Sequence, residues 1–252
     1  MYNPLFTGKV LLELNEVDST NNYARYWISN NKPIEGTVII AQNQFAGKGQ
    51  FGKTWVSEPG KNLTCSIIYY PVHLKVEEAF VLIQISSLAL CNTLSQFGVQ
   101  NPQIKWPNDI LVNNKKMAGI LIENSIRNNH FQDSIIGIGV NLNQENFDAL
   151  PNITSVKNIT GNNISAQEFC QVLFSYLEMF YLQSKNLSKF QQDFYEQYSS
   201  KIFRINQLSD FLKPDQSIFQ GQILGVKPNG NLVVQVNNTT HEFQRGEVRI
   251  LM

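Results

Sequence analysis

An α+β architecture, a mixed β-sheet packed with helices and followed by a small β-barrel, is what these 252 residues specify. Three features carry that reading. Helical and strand patterns alternate through residues 1–200, with hairpins among the strands, as expected for helices laid on a mixed sheet. The segment Glu77–Phe97 is apolar at helical spacing with few charges, and reads as a long, mostly buried helix. Near Lys201 the composition changes to short strands separated by turns. That divides the chain into a unit of residues 1–200 and a module of residues 201–252, which is below the size usually stable alone and is expected to dock on the first.

The elements follow in order. Val10–Leu14 reads as a strand, and Ser19 or Asp18 can N-cap a short helix reaching Ile28. Thr37–Gln42 and Leu63–Tyr70, rich in β-branched and aromatic residues, are strands on either side of a Gly-rich loop. After the long helix come a short strand, Gln103–Trp106, and a hairpin of Ile110–Val112 with Met117–Glu123, turning at Asn113-Asn114. Ser134–Val140 is a further strand. Ser165-Ala-Gln-Glu168 is a capping box that opens a helix to Ser184, and a second helix covers Ser188–Tyr198. The C-terminal module reads as strands Ile202–Leu208, Ser217–Val226, Leu232–Val236, Thr240–Gln244 and Val248–Leu251, with turns at Pro228-Asn-Gly230 and Asn237-Asn238.

Composition excludes several classes. Lys+Arg and Asp+Glu balance at 20 each, so no global field recruits nucleic acid or an anionic membrane. No apolar run reads as long enough to span a bilayer, and the first residues lack the basic and apolar regions of a signal peptide. Cys65, Cys91 and Cys170 are odd in number and far apart, which suits a reducing cytosol and no metal or redox pair. His73, His130 and His241 are isolated, which argues against a histidine-based metal site.

The loop Ala41-Gln-Asn-Gln-Phe-Ala-Gly-Lys-Gly-Gln-Phe-Gly-Lys-Thr-Trp55 asks for a phosphate, since glycines admit close backbone approach and lysines neutralise charge. By letter it fits the P-loop through Gly47, Gly52, Lys53 and Thr54, and the dinucleotide fingerprint through Gly47, Gly49 and Gly52. Both motifs require a helix to start at the loop, whereas Val56-Ser-Glu-Pro-Gly60 is turn chemistry leading into a strand. Neither reading fits.

The loop has companions: Asp18-Ser-Thr-Asn-Asn22, Lys105-Trp-Pro-Asn-Asp109, Lys116-Met-Ala-Gly119 with Ile120-Leu-Ile-Glu123, and Gly137-Ile-Gly-Val-Asn-Leu-Asn143. In order and spacing these segments closely resemble the bacterial biotin protein ligases, with strong motifs from Leu12 to Asn143 and weaker likeness beyond. The resemblance implies a class II synthetase-like catalytic domain over residues 1–200 and an SH3-like β-barrel over residues 201–252. It implies an ATP-dependent ligase using Mg2+, in which the biotin carboxylate attacks the α-phosphate of ATP to give biotinyl-5'-AMP, and a lysine of a biotin carboxyl carrier protein then attacks that anhydride. The first catalytic strand begins so early that no N-terminal helix-turn-helix domain is expected, hence a monofunctional, cytoplasmic enzyme without specific DNA binding or membrane attachment. A homodimer is left open. Two rival readings are a lipoate ligase, which shares the adenylation logic, and a non-enzymatic biotin- or nucleotide-sensing module.

Residue by residue, the resemblance assigns Ser19, Thr20, Asn21 and Gln44 to the biotin ring system, and Lys48, Gly49 and Gln50 to the loop over the carboxylate and adenylate. Lys116, with Gly119 beside it, aligns near the carboxylate and α-phosphate, and Lys105 is a further phosphate candidate. Trp55, Asn108, Asp109 and Asn141 are assigned to the adenylate. Lys48, Lys105 and Lys116 are thus the catalytic candidates. Several assignments have a plain structural alternative: a helix cap for Ser19, Thr20 and Asn21, with both readings compatible at Ser19, an edge-strand lysine for Lys105, and a turn pair for Asn108 and Asp109. Likewise Lys116 reads as a solvated hairpin lysine, Trp55 as a packing tryptophan, and Asn141 as a strand-end turn residue. The chain departs from the family where Gln50 and Phe51 stand at often basic positions, so the loop carries less positive charge.

Overall fold

The computed structural model describes residues 3–147 and 152–252, with residues 187–193 as backbone alone. The larger part is built on strands β1 (Leu11–Val17), β2 (Val38–Gln44), β3 (Leu63–Tyr69), β4 (Gln103–Lys105), β5 (Asp109–Val112), β6 (Lys115–Arg127) and β7 (His130–Val140). They form one seven-stranded sheet in the order β1-β2-β3-β7-β6-β5-β4. Only β1 and β2 pair in parallel; the other neighbours are antiparallel, which makes the sheet mixed. The helices are α1 (Thr20–Asn31), α2 (Phe80–Gln96), α3 (Val156–Thr160), α4 (Ala166–Gln183) and α5 (Leu187–Ser200).

Each face of the sheet has its own core. Successive strand residues point to opposite faces. Ile39, Ile68 and Ile135 therefore bury against Ala24 of α1, while their neighbours Val38, Ile67 and Ile136 join the larger core with α2 and α4. Helix α2 is buried at every position from Phe80 to Cys91, so it is wrapped by sheet and helices. With the 3₁₀ turn before it, the stretch Val76–Gln96 is long and apolar enough to cross a bilayer, which corrects the expectation that no run is; 78% of its apolar window is buried within the molecule.

A second sheet follows: β8 (Leu208–Leu212), β9 (Ile218–Val226), β10 (Leu232–Val236), β11 (Thr239–Phe243) and β12 (Arg249–Ile250), antiparallel throughout in the order β11-β10-β9-β8-β12. It matches the SH3-like module expected from the sequence. Its apolar residues Phe211, Ile223, Val234 and Ile250 belong to the same core cluster as α2 and α4. Polar contacts tie it down as well: Trp106 Nε1 donates to the Gly230 carbonyl at 2.9 Å, and a side chain at Gly230 would meet the Phe80 ring at 2.5 Å.

Several local expectations are corrected. Residues 202–207 are not a strand: Arg204 and Asn206 take positive φ, Ile202 only bridges to Ile104, and the strand starts at Leu208. Ser19 occupies the N-cap position of α1, but its side chain makes no capping hydrogen bond. Helix α3 was not foreseen; Ser155 Oγ caps it by accepting from the Asn158 N–H at 3.1 Å, and Gly161 closes it at φ 79°. Strands β6 and β7 run past their expected ends to a turn at Asn128-Asn129. That turn, Asn113-Asn114 and Asn237-Asn238 are two-residue hairpin loops with both residues at positive φ, the twist-matched conformation that asparagine tolerates. Finally, the carboxylate of Glu178 in α4, fully buried, accepts from the N–H groups of Leu5, Phe6 (2.9 Å) and Thr7 (2.7 Å), pinning the N-terminal segment across the molecule.

Candidate active site

A cleft of about 760 Å³ opens on the α1 side of the large sheet. It gathers residues from the start of α1, the Gly-rich loop, the β4–β5 corner, β6, β7 and the C-terminal module. Of the residues assigned from the sequence, Ser19, Thr20, Asn21, Gln44, Lys48, Gly49, Gln50, Trp55, Lys105, Asn108, Asp109, Lys116 and Gly119 all line it. Asn141 does not: it is buried, its side-chain amide donates to the Thr154 carbonyl at 3.1 Å, and it braces the strand that carries Lys116.

One wall is neutral and closely bonded. Gln44 Oε1 accepts from the Thr20 N–H at 2.7 Å and lies 3.1 Å from Thr20 Oγ1. Ser66 Oγ sits 2.7 Å from Thr20 Oγ1 and 2.6 Å from Asn21 Oδ1. Thr20, Asn21 and Ser66 are all buried, so these bonds are not exchanged for water. Asn21 fits because Gly137 has no side chain: a Cβ there would lie 2.4 Å from Asn21 Oδ1.

The floor beyond is a tryptophan laid on glycines. A Cβ at Gly139 would meet the Trp55 ring at 2.4 Å, and one at Gly119 would meet it at 3.2 Å. The Trp55 indole N–H is buried without a hydrogen-bond partner among the described residues. Lys116 Nζ stands 5.5 Å from the same ring and 2.6 Å from Asp109 Oδ1. Its backbone is clamped by Asn152 and Thr154. Asn108 Nδ2 donates to the Ile120 carbonyl at 2.7 Å, which orders the corner before β5.

The loop folds on itself. Gly49 N–H donates to Lys53 O at 2.7 Å, Trp55 N–H to Gly47 O at 2.9 Å, and Gln50–Gly52 is a 3₁₀ turn. No α-helix follows it, as the turn chemistry of Val56–Gly60 required. Lys48 Nζ donates to Asn22 Oδ1, and Asn22 in turn donates to Asp18, which ties the loop to the first turns of α1.

The electrostatics are lopsided. Lys48, Lys53, Lys105, Lys116, Lys213 and Arg249 line the cleft, against the single carboxylate of Asp109. Lys105 makes no ion pair among the described residues. Burial lowers its pKa from the ordinary lysine value, with Arg249, Lys116 and Lys53 adding to the effect and Asp109 opposing it. Such clustering favours an anionic occupant. Cys65 also reaches the cleft, but burial pushes its thiol well above the ordinary range, so it stays protonated. Lys213 and Arg249 were missed in the sequence. They come from the C-terminal module and restore the charge that Gln50 and Phe51 withhold; no local motif marks them.

Comparison with known proteins agrees with this geometry. The Biotin/lipoate A/B protein ligase family profile matches residues 14–141, just over half of the chain. The "Bifunctional ligase/repressor BirA" of Bacillus spizizenii is 34% identical over 141 residues, covering 56% of this chain and 43% of that protein. The "Biotin--[acetyl-CoA-carboxylase] ligase" of Paracoccus denitrificans is 33% identical over 148 residues, covering 54% of this chain and 58% of that one. The chain thus spans about half the length of these curated relatives. Among solved structures, a biotin protein ligase from Aquifex aeolicus in complex with biotin and ATP superposes with TM-score 0.81 at 24% identity over 96% of this chain and 99% of the other, a likeness of fold. One from Leishmania major in complex with biotin gives TM-score 0.62 at 22% identity over 97% and 98%. With its profile match and the motifs of that match brought together in one cleft, the chain belongs to the Biotin/lipoate A/B protein ligase family.

Proposed function

We propose that this protein is an ATP-dependent biotin protein ligase that makes biotinyl-5'-AMP and transfers biotin to a lysine of a biotin carboxyl carrier protein in the cytoplasm. The observation that carries the reading is the charge layout of the cleft, in which cations from the loop, the sheet and the C-terminal module face a neutral, hydrogen-bonding wall. Adenylation brings a carboxylate onto a polyphosphate. A carboxylate oxygen bonds to the α-phosphorus, the α–β phosphoanhydride breaks, and pyrophosphate leaves. Anion meets anion, so the site must hold positive charge where negative charge develops, and each preorganised donor is worth about 3 kcal/mol. In the second step an acceptor amine bonds to the biotin carbonyl carbon, AMP leaves, and the amine proton passes to solvent.

The wall of Ser19, Thr20, Asn21 and Gln44 takes the polar, uncharged ring end of biotin. Lys116 sits at the junction of carboxylate and α-phosphate, and Lys48 with Gly49 and Gln50 closes over it. Lys105 reaches the phosphates, Trp55 takes the adenine end, and Asn108 and Asp109 hold the corner beside the adenylate. Asn141 supports the site from behind. Magnesium fits this cleft as the companion of a polyphosphate: among the described residues no cluster of His, Cys, Asp or Glu could hold a metal alone, and Asp109 is the one carboxylate in the lining. Bound with the phosphates, it would offset their charge. The catalytic unit is residues 1–200 and the module is residues 201–252.

The test is ATP labelled in its outer phosphates, incubated with biotin or with lipoate. Pyrophosphate release with biotin is the expected result. Release with lipoate alone reassigns the substrate, and binding of biotin without any release identifies a sensor.

A further inference from the structure

Behind the Gly-rich loop, on the side of Leu121 and Glu123, lies a second hollow of about 520 Å³. Lys48, Gly49, Phe51, Lys53 and Thr54 border both this hollow and the cleft, so the loop is a thin partition between them. The backbone N–H groups of Gly49, Lys53 and Trp55 all bond within the loop itself. Lys48 ties one side of it to α1 through Asn22. Phe51 reaches the other way, to the C-terminal module: a Cβ on Gly246 would lie 3.3 Å from Cε1 and Cζ of its ring. Both partners in that contact stand at positive φ, 54° for Phe51 and 94° for Gly246. An aromatic residue keeps such a conformation where its surroundings hold it, whereas glycine takes it freely and leaves its backbone open to the ring. The turn that presents Gly246, between β11 and β12, is itself fixed: the Gln244 N–H donates to Glu247 Oε2 at 2.7 Å, and the Glu247 N–H to the Gln244 carbonyl at 3.1 Å.

We infer that Phe51 is a latch, a positioning residue that seats the tip of the Gly-rich loop on the Gly246 turn, so that loop and module close over the acyl-adenylate as one gate. The ring remains 72% exposed, so the seat is shallow and opens for substrates and acceptor in each turnover. An apolar contact across two parts of the molecule thus does what charge on the loop, thinned at Gln50 and Phe51, does less of. The inference rests on the biotin reading for what is retained, but not for the contact.

Hydrogen exchange on the intact protein tests the contact. Phe51→Ala is expected to speed exchange roughly tenfold at Gly49 and Trp55, and also at Gln244 and Glu247 in the module. Phe51→Leu, which keeps an apolar side chain, is expected to stay near wild type. Gly246→Ala pushes the ring away and is expected to speed exchange in the loop; added to Phe51→Ala, it is expected to change the loop no further, and the strain it adds to its own turn cancels in that cycle. Single-turnover release of biotinyl-AMP without acceptor is expected to rise roughly tenfold in Phe51→Ala, while its formation falls by no more than about twofold because Lys48 keeps its tether. A general loosening of the site would slow formation as much as it speeds release. Unchanged exchange at Gln244 and Glu247 in Phe51→Ala, or loop effects of the two substitutions that simply add, overturns the latch and leaves the biotin reading intact. Unchanged release beside faster exchange overturns its part in retention. A wild-type protein that forms no biotinyl-AMP overturns the biotin reading, and exchange still decides the contact.

Discussion

On the sheet side of the cleft Thr20, Asn21, Ser66 and Gln44 are buried or half-buried and linked by hydrogen bonds of 2.6–3.1 Å. On the loop side Phe51 is 72% exposed and held at φ 54°, and Gln50 makes no side-chain hydrogen bond among the described residues. The first is preorganised, so its contacts need no ordering when a ligand arrives. The second holds its shape by a few backbone bonds and leaves exposed side chains for a ligand's charge to engage. Positive φ at an aromatic residue is a strained conformation of the kind found in switch and clamp segments. Substitutions on the sheet side should therefore change affinity or chemistry directly, and those on the loop should change formation and retention of the intermediate.

The largest effect is expected at Lys116, where floor and reacting groups meet. Lys116→Gln should slow pyrophosphate release at saturating biotin by roughly a hundredfold, with a smaller loss of biotin affinity. Lost affinity with unchanged turnover would move Lys116 from chemistry to binding. Next comes the loop. Lys48→Ala should slow adenylation roughly tenfold or more, and Lys53→Ala far less, because Lys48 is placed between the α1 tether and the cleft. A larger loss at Lys53 would overturn the assignment of this loop, and of Lys48, to biotin and its adenylate.

Lys105 sharpens the comparison through pH. Its folded pKa is depressed by burial, so the unfolded chain holds the proton more tightly. The charged lysine thus costs stability below the folded pKa, and this cost is relieved as pH rises toward the unfolded value of about 10.4. Lys105→Met should raise Tm at neutral pH, by an amount that shrinks near pH 10, while slowing pyrophosphate release. Lys105→Arg should shift the alkaline limb of activity upward. A Tm gain that does not change with pH would locate the effect in packing instead. The smallest change is expected at Gln50: Gln50→Ala should raise release of biotinyl-AMP only a few-fold in single turnover without acceptor. A hundredfold rise would make Gln50 a principal clamp.

What was readable in the sequence was local. Lys48, Lys105 and Lys116 sit in short motifs whose chemistry is written in adjacent letters, and the strands around them alternate cleanly. The turns at Asn113-Asn114 and Asn237-Asn238 were legible because the residues that take positive φ lie between apolar runs. What was not readable depended on distant packing. Lys213 and Arg249 act only because Trp106 and Phe80 seat the second sheet beside the cleft. Ser66 sits within an apolar strand, and nothing nearby marks its bond to Asn21. Residues 202–207 have strand composition, but the chain must bend there to pass from α5 to β8, and turns won over propensity.

Thr7 and Glu178 are 171 positions apart, and the central strand pair joins Leu63 to Val140. The segment around Leu5–Thr7 leaves the ribosome long before α4, yet its three N–H groups have no buried acceptor until α4 has been made and packed. Because that anchor lies so far along the chain, fragments ending before residue 178 keep the Leu5–Thr7 segment without its buried carboxylate and leave exposed the face of α2 that α4 covers.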